Sequence, residues 1–401
     1  MEDQFGFQTK VLILEGGERF PLMLQRSTGL PVGPVTDWAI ASLRGKPIAT
    51  SKRKIASVAL LYGWAEKRRI DLDARFQSLN LLSADEITAL SEHLYLNNSP
   101  SSPKKLKRTV AGAHHRARVD NVIEYIKSRA SNFITSYDID HPKVANANQR
   151  LGLIVGQLEG LRGSSVSIPR GSLTEEQCRE LFDIVRPGSP RNPFQKRTQL
   201  RNYVIILLLY ELGLRRSEPL TIKGRHVSIG RQNIIRITFT PNDPDDHRAD
   251  NPSIKTKSRD LPISLELARS YEMLLRERRS NSKTMHGAKK TEFILLSTKD
   301  GRPLSKKSLD DIFVIIRENF ADIFPIDFAP HHLRRTWNYR FSKACEWAGI
   351  EEKLADKIHR YFMGWSINSS QPSKYNEKFI SEMAMKIGIA MQNALTGDSY
   401  E

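Results

Sequence analysis

The first thirty residues carry an apolar pattern that suits a hairpin. Residues 10–14 and 20–24 are rich in Val, Leu, Ile and Phe and flank Gly16-Gly17-Glu18-Arg19, a glycine turn. The period then changes. After the turn-rich stretch 29–34, Trp38, Ile40, Ala41 and Leu43 fall at helical spacing. Thr50-Ser51 is expected to cap the next helix, 52–69, whose Ile55, Val58, Ala59, Tyr62 and Ala65 keep one apolar face. A Ser/Pro stretch at 99–103 reads as a surface loop, and Val119, Val122, Ile123 and Ile126 mark the stripe of a further helix.

A polar stretch, 164–171, leads into Ser172-Leu173-Thr174-Glu175-Glu176, which has the character of a helix start with a capping box. The main domain boundary is placed there, near residue 170. Residues 200–212 are apolar almost all round, so they predict a buried helix that Gly213 terminates. Ser217 is expected to cap a second buried helix, with Pro219 in its first turn. Residues 233–239 and 260–264 read as strands, separated by a polar insertion at 242–251. Then come a helix at 265–280, a buried strand at 292–296, a turn at 300–303 and a helix at 309–320. Ile380, Met383, Ile387 and Met391 recur at helical spacing near the end. The fold class is therefore mainly α with a small antiparallel β-sheet. Three segments are expected: an N-terminal β-hairpin extension over 1–30, a helical domain over 31–170, and a mixed α+β domain over 171–401 ending in a helix.

Charge changes the picture from fold to partner. The 401 residues carry 62 Lys and Arg against 45 Asp and Glu, a net +17, and such a field suits a polyanion, with nucleic acid the default. Candidate contacts are Lys52, Arg53 and Lys54, then Lys104, Lys105, Lys107 and Arg108, then Arg116 and Arg118. Two basic helical blocks joined by a flexible loop suit a clamp on a duplex backbone. The adjacent His114 and His115 lack partners at metal-ligand spacing and read as polar surface residues. Membrane association is not expected: the longest apolar run, 203–210, falls far short of the ~20 residues a span needs, and no signal-peptide pattern is seen. Cys178 and Cys345 support neither a disulfide framework nor a zinc site, so a cytoplasmic, nucleoid-associated location is expected. Asp243, Asp245, Asp246 and His247 bunch in one loop without supporting acids, so no metal site is expected.

The chemistry gathers between residues 331 and 375. His331-His332-Leu333-Arg334-Arg335 and Gly364-Trp365 supply donors suited to an anion, and Tyr375 supplies a phenol. A phenol that acts as nucleophile needs a base and an oxyanion already held by cations. Upstream, Arg215 sits at a tight junction where a cation needs a partner; Glu218 is the local one and a phosphate the functional one.

Gly-Leu-Arg-Arg-Ser-Glu at 213–218, Lys-Thr-Lys at 255–257 leading to Leu-Pro-Ile at 261–263, His-x-x-Arg at 331–334, Gly-Trp at 364–365 and Tyr375 occur in one order. This resembles the tyrosine recombinase (phage integrase) family, with the type IB topoisomerases as distant mechanistic relatives. The likeness spans roughly residues 172–385, and the helical region before it is similar in character to the family's core-binding domain. The resemblance implies that Arg215 and Arg334 clamp the scissile phosphate, a task suited to the guanidinium fork. Glu218 would orient the first arginine, Lys255 would protonate the departing 5′ oxygen, and His331 would assist proton transfer at the nucleophile. Trp365 would donate its indole N–H, and Tyr375 would form a 3′-phosphotyrosyl link.

The chain departs from the family pattern at three places. His332 and Arg335 stand where Asp and His are common, Trp365 stands where histidine is commoner, and the interval from Trp365 to Tyr375 is one residue longer than the commonest spacing. Rivals are Arg216 for Arg215, Lys257 for Lys255, His359 for Trp365, and Tyr361 or Tyr339 for Tyr375; both tyrosines otherwise read as core packing. The implied function is site-specific DNA recombination by an integrase or mobile-element recombinase. It needs no cofactor, because the phosphotyrosine conserves the bond energy. The implied partners are double-stranded DNA, three further copies in a synaptic homotetramer, and accessory DNA-bending proteins. The final helix would dock either on its own domain or on a neighbouring protomer. A type IB-like topoisomerase and a catalytically silent DNA-binding architectural protein are the alternatives.

Overall fold

The computed structural model describes residues 6–96, 109–138, 140–164, 171–249, 252, 256–280 and 285–366. The chain divides into two compact units, Met1–Ile168 and Pro169–Glu401. Among the described residues no helix is long and apolar enough to cross a membrane.

In the first unit, β1 (Phe7–Ile13) and β2 (Arg19–Gln25) pair antiparallel, from Phe7↔Gln25 to Ile13↔Arg19. Six helices follow: α1 (Gly33–Leu43), α2 (Ile48–Lys67), α3 (Leu72–Gln77), α4 (Ala84–Tyr95), α5 (Gly112–Ile134) and α6 (Pro142–Gly160). Met23 of the hairpin and Trp38, Val58, Leu61, Tyr125 and Ile126 of the helices share one apolar core. At its centre the Tyr62 and Tyr125 hydroxyls meet at 2.6 Å, so two buried phenols satisfy each other.

Three expectations for this unit need correction. α2 begins at Ile48 after Pro47, so Thr50 and Ser51 lie inside its first turn instead of capping it. Proline ahead of the helix sets the entry, and the buried Ser51 hydroxyl is within 3.4 Å of the Leu43 carbonyl oxygen, to which it donates. Ile40, placed on an apolar stripe, is half exposed, while Ala39 beside it is buried. His115 is buried, not a surface residue: its Nε2 bonds to the Ser91 carbonyl at 3.0 Å and its Nδ1 accepts from the Gly163 N–H at 3.1 Å. A histidine that links two backbone groups is satisfied in a core.

The second unit is the mixed one. α7 (Glu175–Val185) opens with a capping box between Thr174 and Gln177, and α8 (Lys196–Glu211) buries every residue from Tyr203 to Leu209. A three-stranded antiparallel sheet orders β3 (Val227–Ser228), β4 (Ile234–Ile237) and β5 (Arg259–Pro262), with Ile237 opposite Arg259. α9 (Leu265–Ser280), α10 (Lys306–Asn319), α11 (Pro330–Trp347) and α12 (Glu352–Met363) complete it. Ser217 caps no helix; Glu218 precedes a single 3-10 turn, Pro219–Thr221. Residues 293–296 are buried and Glu292 is exposed, and the stretch forms no strand, only isolated bridges Lys223↔Phe293 and Leu296↔Pro303. An apolar run reports burial without reporting a ladder partner. The predicted final helix at 380–391 lies outside the described residues.

Candidate active site

The site forms where three helix ends meet. α8 stops at Glu211, and Gly213 turns the chain with φ +57°, a left-handed conformation that suits glycine. A Cβ there would come within 2.8 Å of the Trp337 ring. The helix-end carbonyl oxygens are taken up by α11: Trp337 Nε1 donates to Glu211 O at 2.8 Å, and Arg334 Nη1 donates to Gly213 O at 2.6 Å. Arg334 is thereby held at the turn that leads into Arg215.

α12 ends in a Schellman motif. Gly364 has φ +65°, its N–H donates to Tyr361 O at 3.1 Å, and the Trp365 N–H reaches back to Arg360 O at 3.0 Å. Its last carbonyls point at the site. Phe362 O accepts from Arg259 Nε at 2.6 Å, Met363 O from Arg215 Nη1 at 3.5 Å, and Gly364 O from the Lys257 N–H at 3.1 Å. Cations at a helix C-terminus also complement its dipole. Trp365 is buried, and the Arg334 guanidinium lies 5.6 Å from its ring centroid.

Glu218 is 1% exposed and links these parts. Its Oε2 accepts from the Arg215 backbone N–H at 2.7 Å, while the Arg215 side chain stands off, with Nη1 4.0 Å from Oε1. Its Oε1 also accepts from the Thr256 hydroxyl at 2.7 Å, and both oxygens accept from Arg259 Nη2 at 3.2 and 3.1 Å. Burial opposes ionisation of this carboxyl. The charges of Arg259 and then Arg334, with hydrogen bonds from Arg259 and Thr256, outweigh that and hold its pKa below the ordinary carboxylate range.

His331 and Arg334 share a face of α11, three residues apart. His332 is buried, and its Nδ1 accepts from the Ala329 N–H at 3.2 Å, the task an acidic side chain performs at the third position of a helix. Among the described residues, Asp327, His331 and His332 bring metal-ligating atoms within 4.8 Å of one another. The Ala329 bond places the His332 proton on Nε2, facing Asp327 Oδ1 at 3.5 Å, which leaves that nitrogen no lone pair for a metal. Of the acids of the 242–251 insertion, Asp243, Asp245 and Asp246 are likewise occupied: Lys223 Nζ donates to Asp243 at 2.9 Å and Asp245 at 2.7 Å, and Arg248 Nε donates to Asp246 at 2.8 Å.

The rivals take other positions. Arg216 faces away from this cluster and pairs with Asp310 at 2.9 Å. His359 is buried, stacks on Phe341 with ring centroids 4.8 Å apart, and hydrogen-bonds Asn338. Burial first, then the charge of Arg334, pushes its pKa down to about 4, so it is neutral near pH 7. Tyr361, expected in the core, is 54% exposed and donates to Asp260 O at 3.2 Å, because it lies on the outer face of an amphipathic helix. Tyr339 is half-buried beneath the Lys343 ammonium at 4.8 Å. Lys257 is exposed. Lys255 and Tyr375 lie outside the described residues.

In the first unit, Lys52 and Arg53 face solvent. Lys54 pairs with Glu124, Arg118 donates to Leu94 O and Leu96 O at 2.7 and 2.8 Å, and Arg116 donates to Gly163 O at 3.3 Å. Arg118 thus closes the end of α4, a structural duty that charge counting did not reveal. Lys104, Lys105, Lys107 and Arg108 lie outside the described residues. The residues that sequence reasoning missed are Arg259 and Thr256. Strand alternation put Arg259 on the same face as the buried Leu261, and that was the available signal.

Residues 171–376 match the phage integrase family. The chain belongs to this family, the tyrosine recombinases, which carry out site-specific recombination of DNA. Among solved structures it is similar to XerA recombinase, at 13% identity over 88% of this chain and 96% of that one, with TM-score 0.37. It is also similar to the Tn1549 transposon integrase in complex with circular intermediate DNA, at 16% identity over 74% and 90%, TM-score 0.41. A third is XerH recombinase bound to difH substrate, at 13% over 84% and 89%, TM-score 0.43. No curated relative matches the chain.

Proposed function

We propose that this chain cuts and rejoins double-stranded DNA through Tyr375. The phenolic oxygen attacks the scissile phosphorus, the bond from phosphorus to the 5′ oxygen breaks, and a 3′-phosphotyrosyl link forms. Lys255 protonates the departing oxygen, and His331 accepts the phenol's proton. A 5′-hydroxyl from the partner strand then reverses the step and releases the tyrosine. Arg215 and Arg334 neutralise the non-bridging oxygens, where charge builds in the transition state. Trp365 forms a floor beneath Arg334, and Glu218 holds the Arg215 backbone in place.

The observation that carries this reading is the meeting of the two arginines at paired helix ends, Arg334 on Gly213 O and Arg215 on Met363 O. Both are bound to neutral carbonyl oxygens, which a phosphate can replace as a stronger, charged acceptor. Lys52 and Arg53, with the basic stretch at 104–108, contact the duplex backbone. Four copies assemble on synapsed sites, with DNA-bending proteins as accessories. The test is incubation with nicked suicide duplexes from the ends of the surrounding element. A covalent protein–DNA adduct that disappears in Tyr375→Phe supports the reading. Folded protein that binds these duplexes and forms no adduct contradicts it.

A further inference from the structure

We propose that Arg259 is a positioning residue for cleavage: its guanidinium joins the hairpin, the Glu218–Arg215 turn and the end of α12, and so sets the phosphate clamp. The proposal rests on the function proposed above and concerns a residue with no role in it so far.

Arg259 is 4% exposed, and its donors reach three separate segments. Nε donates to Phe362 O at 2.6 Å, Nη1 to Thr256 Oγ1 at 3.1 Å and Lys257 O at 3.5 Å, and Nη2 to both Glu218 oxygens. Each segment leads directly to a residue of the proposed chemistry. Glu218 holds the Arg215 N–H, Phe362 precedes the Gly364–Trp365 corner, and Thr256 follows Lys255 in the chain. The fit around Gly364 is tight, since a Cβ there would lie 2.9 Å from Arg259 Nη1 and 2.7 Å from Thr256 Cβ.

Two physical points separate this from an ordinary buried ion pair. A buried pair is a weak source of stability, because desolvation offsets most of the attraction. Geometry is what a planar fork supplies, and lysine, with all its donors on a single nitrogen, cannot match acceptors set around the rim of a guanidinium. Arg259 also keeps Glu218 ionised, and an ionised carboxylate accepts the Arg215 N–H more strongly than a neutral acid does. The clamp is thus set from behind by a cation that never meets the DNA.

The experiment uses full-length Arg259→Lys and Glu218→Gln on a nicked duplex that gives a Tyr375-dependent adduct with the unaltered protein. Duplex affinity and single-turnover adduct formation are measured on two versions of it. One carries the ordinary scissile phosphate; the other carries a methylphosphonate, which has no negative charge for the clamp to neutralise. The expected result is cleavage of the phosphate slowed by roughly 100-fold in each variant, as misplacement of clamping groups implies, with affinity within about threefold. On the methylphosphonate the deficit should shrink to less than about tenfold, because the misplaced arginine then matters less. Cleavage of the phosphate at the unaltered rate by either folded variant overturns the proposal, and so does an equal deficit on both duplexes. If Arg259→Lys does not fold, Glu218→Gln, which preserves shape, decides by the same criteria. Absence of any adduct with the unaltered protein is a failure of the functional reading instead.

Discussion

Gly364 shows how narrow the tolerances of the site are. Its φ of +65° disfavours any residue with a Cβ, and the space where that Cβ would go is filled by Thr256, Arg259 and Lys257 O. Gly364→Ala should therefore lose about 2–4 kcal/mol, from left-handed strain together with overpacking. Urea unfolding measures this, and a loss below about 0.5 kcal/mol would show that the corner relaxes freely. At this scale the sequence was informative wherever a residue type is demanding: a glycine before tryptophan, and arginines at the ends of helices. For Arg259 it offered only the strand alternation with Leu261. A cation in a basic hairpin reads as a groove contact, and only its place on the buried face of β5 makes it an internal ligand. His115 misled in the same way, since a backbone partner distant in sequence is invisible to local pattern.

α11 and α12 are joined through Asn338, which donates to Arg334 O at 2.5 Å and accepts from His359. The His359 pKa is depressed from 6.5 to about 4, so the folded state favours the neutral ring. The contribution is fully present above the unfolded value and is lost as pH falls from 6.5 towards 4, in total on the order of 3 kcal/mol. Melting temperature should fall across that window, and the fall should be shallower in His359→Gln; identical profiles would contradict the assignment. A second test concerns the polar insertion, strapped down by Lys223 and by Arg248, which also donates to Leu304 O at 2.6 Å. Lys223→Met leaves Asp243 part-buried without its ammonium and should destabilise by about 2–3 kcal/mol in urea unfolding, whereas a change under about 0.5 kcal/mol would make the strap dispensable. Long elements such as α8 and α9 were legible because each keeps one period over many residues. The 292–296 stretch was not, because burial in single bridges and burial in a ladder leave the same apolar run.

At the scale of the whole molecule, the net +17 is the property that any anionic partner meets first. Affinity for duplex DNA should drop by about a thousandfold between roughly 50 and 200 mM salt if six or more phosphates are contacted. Fluorescence anisotropy across that range measures the slope, and a nearly flat response would remove the basic helices from the interface. The fold class was legible in the order of the elements, and the order of the short motifs was legible as a family. What the linear order could not show is that the arginine sites close on helix ends from distant parts of the chain. The proposed chemistry turns on Tyr375 as the nucleophile. Tyr339, Tyr361 and Tyr375 fall in different tryptic peptides, so mass spectrometry of a digested covalent adduct assigns the attachment directly. The expected result is a nucleotide on the peptide that contains Tyr375; a nucleotide on the peptide of Tyr339 or of Tyr361 would contradict the account.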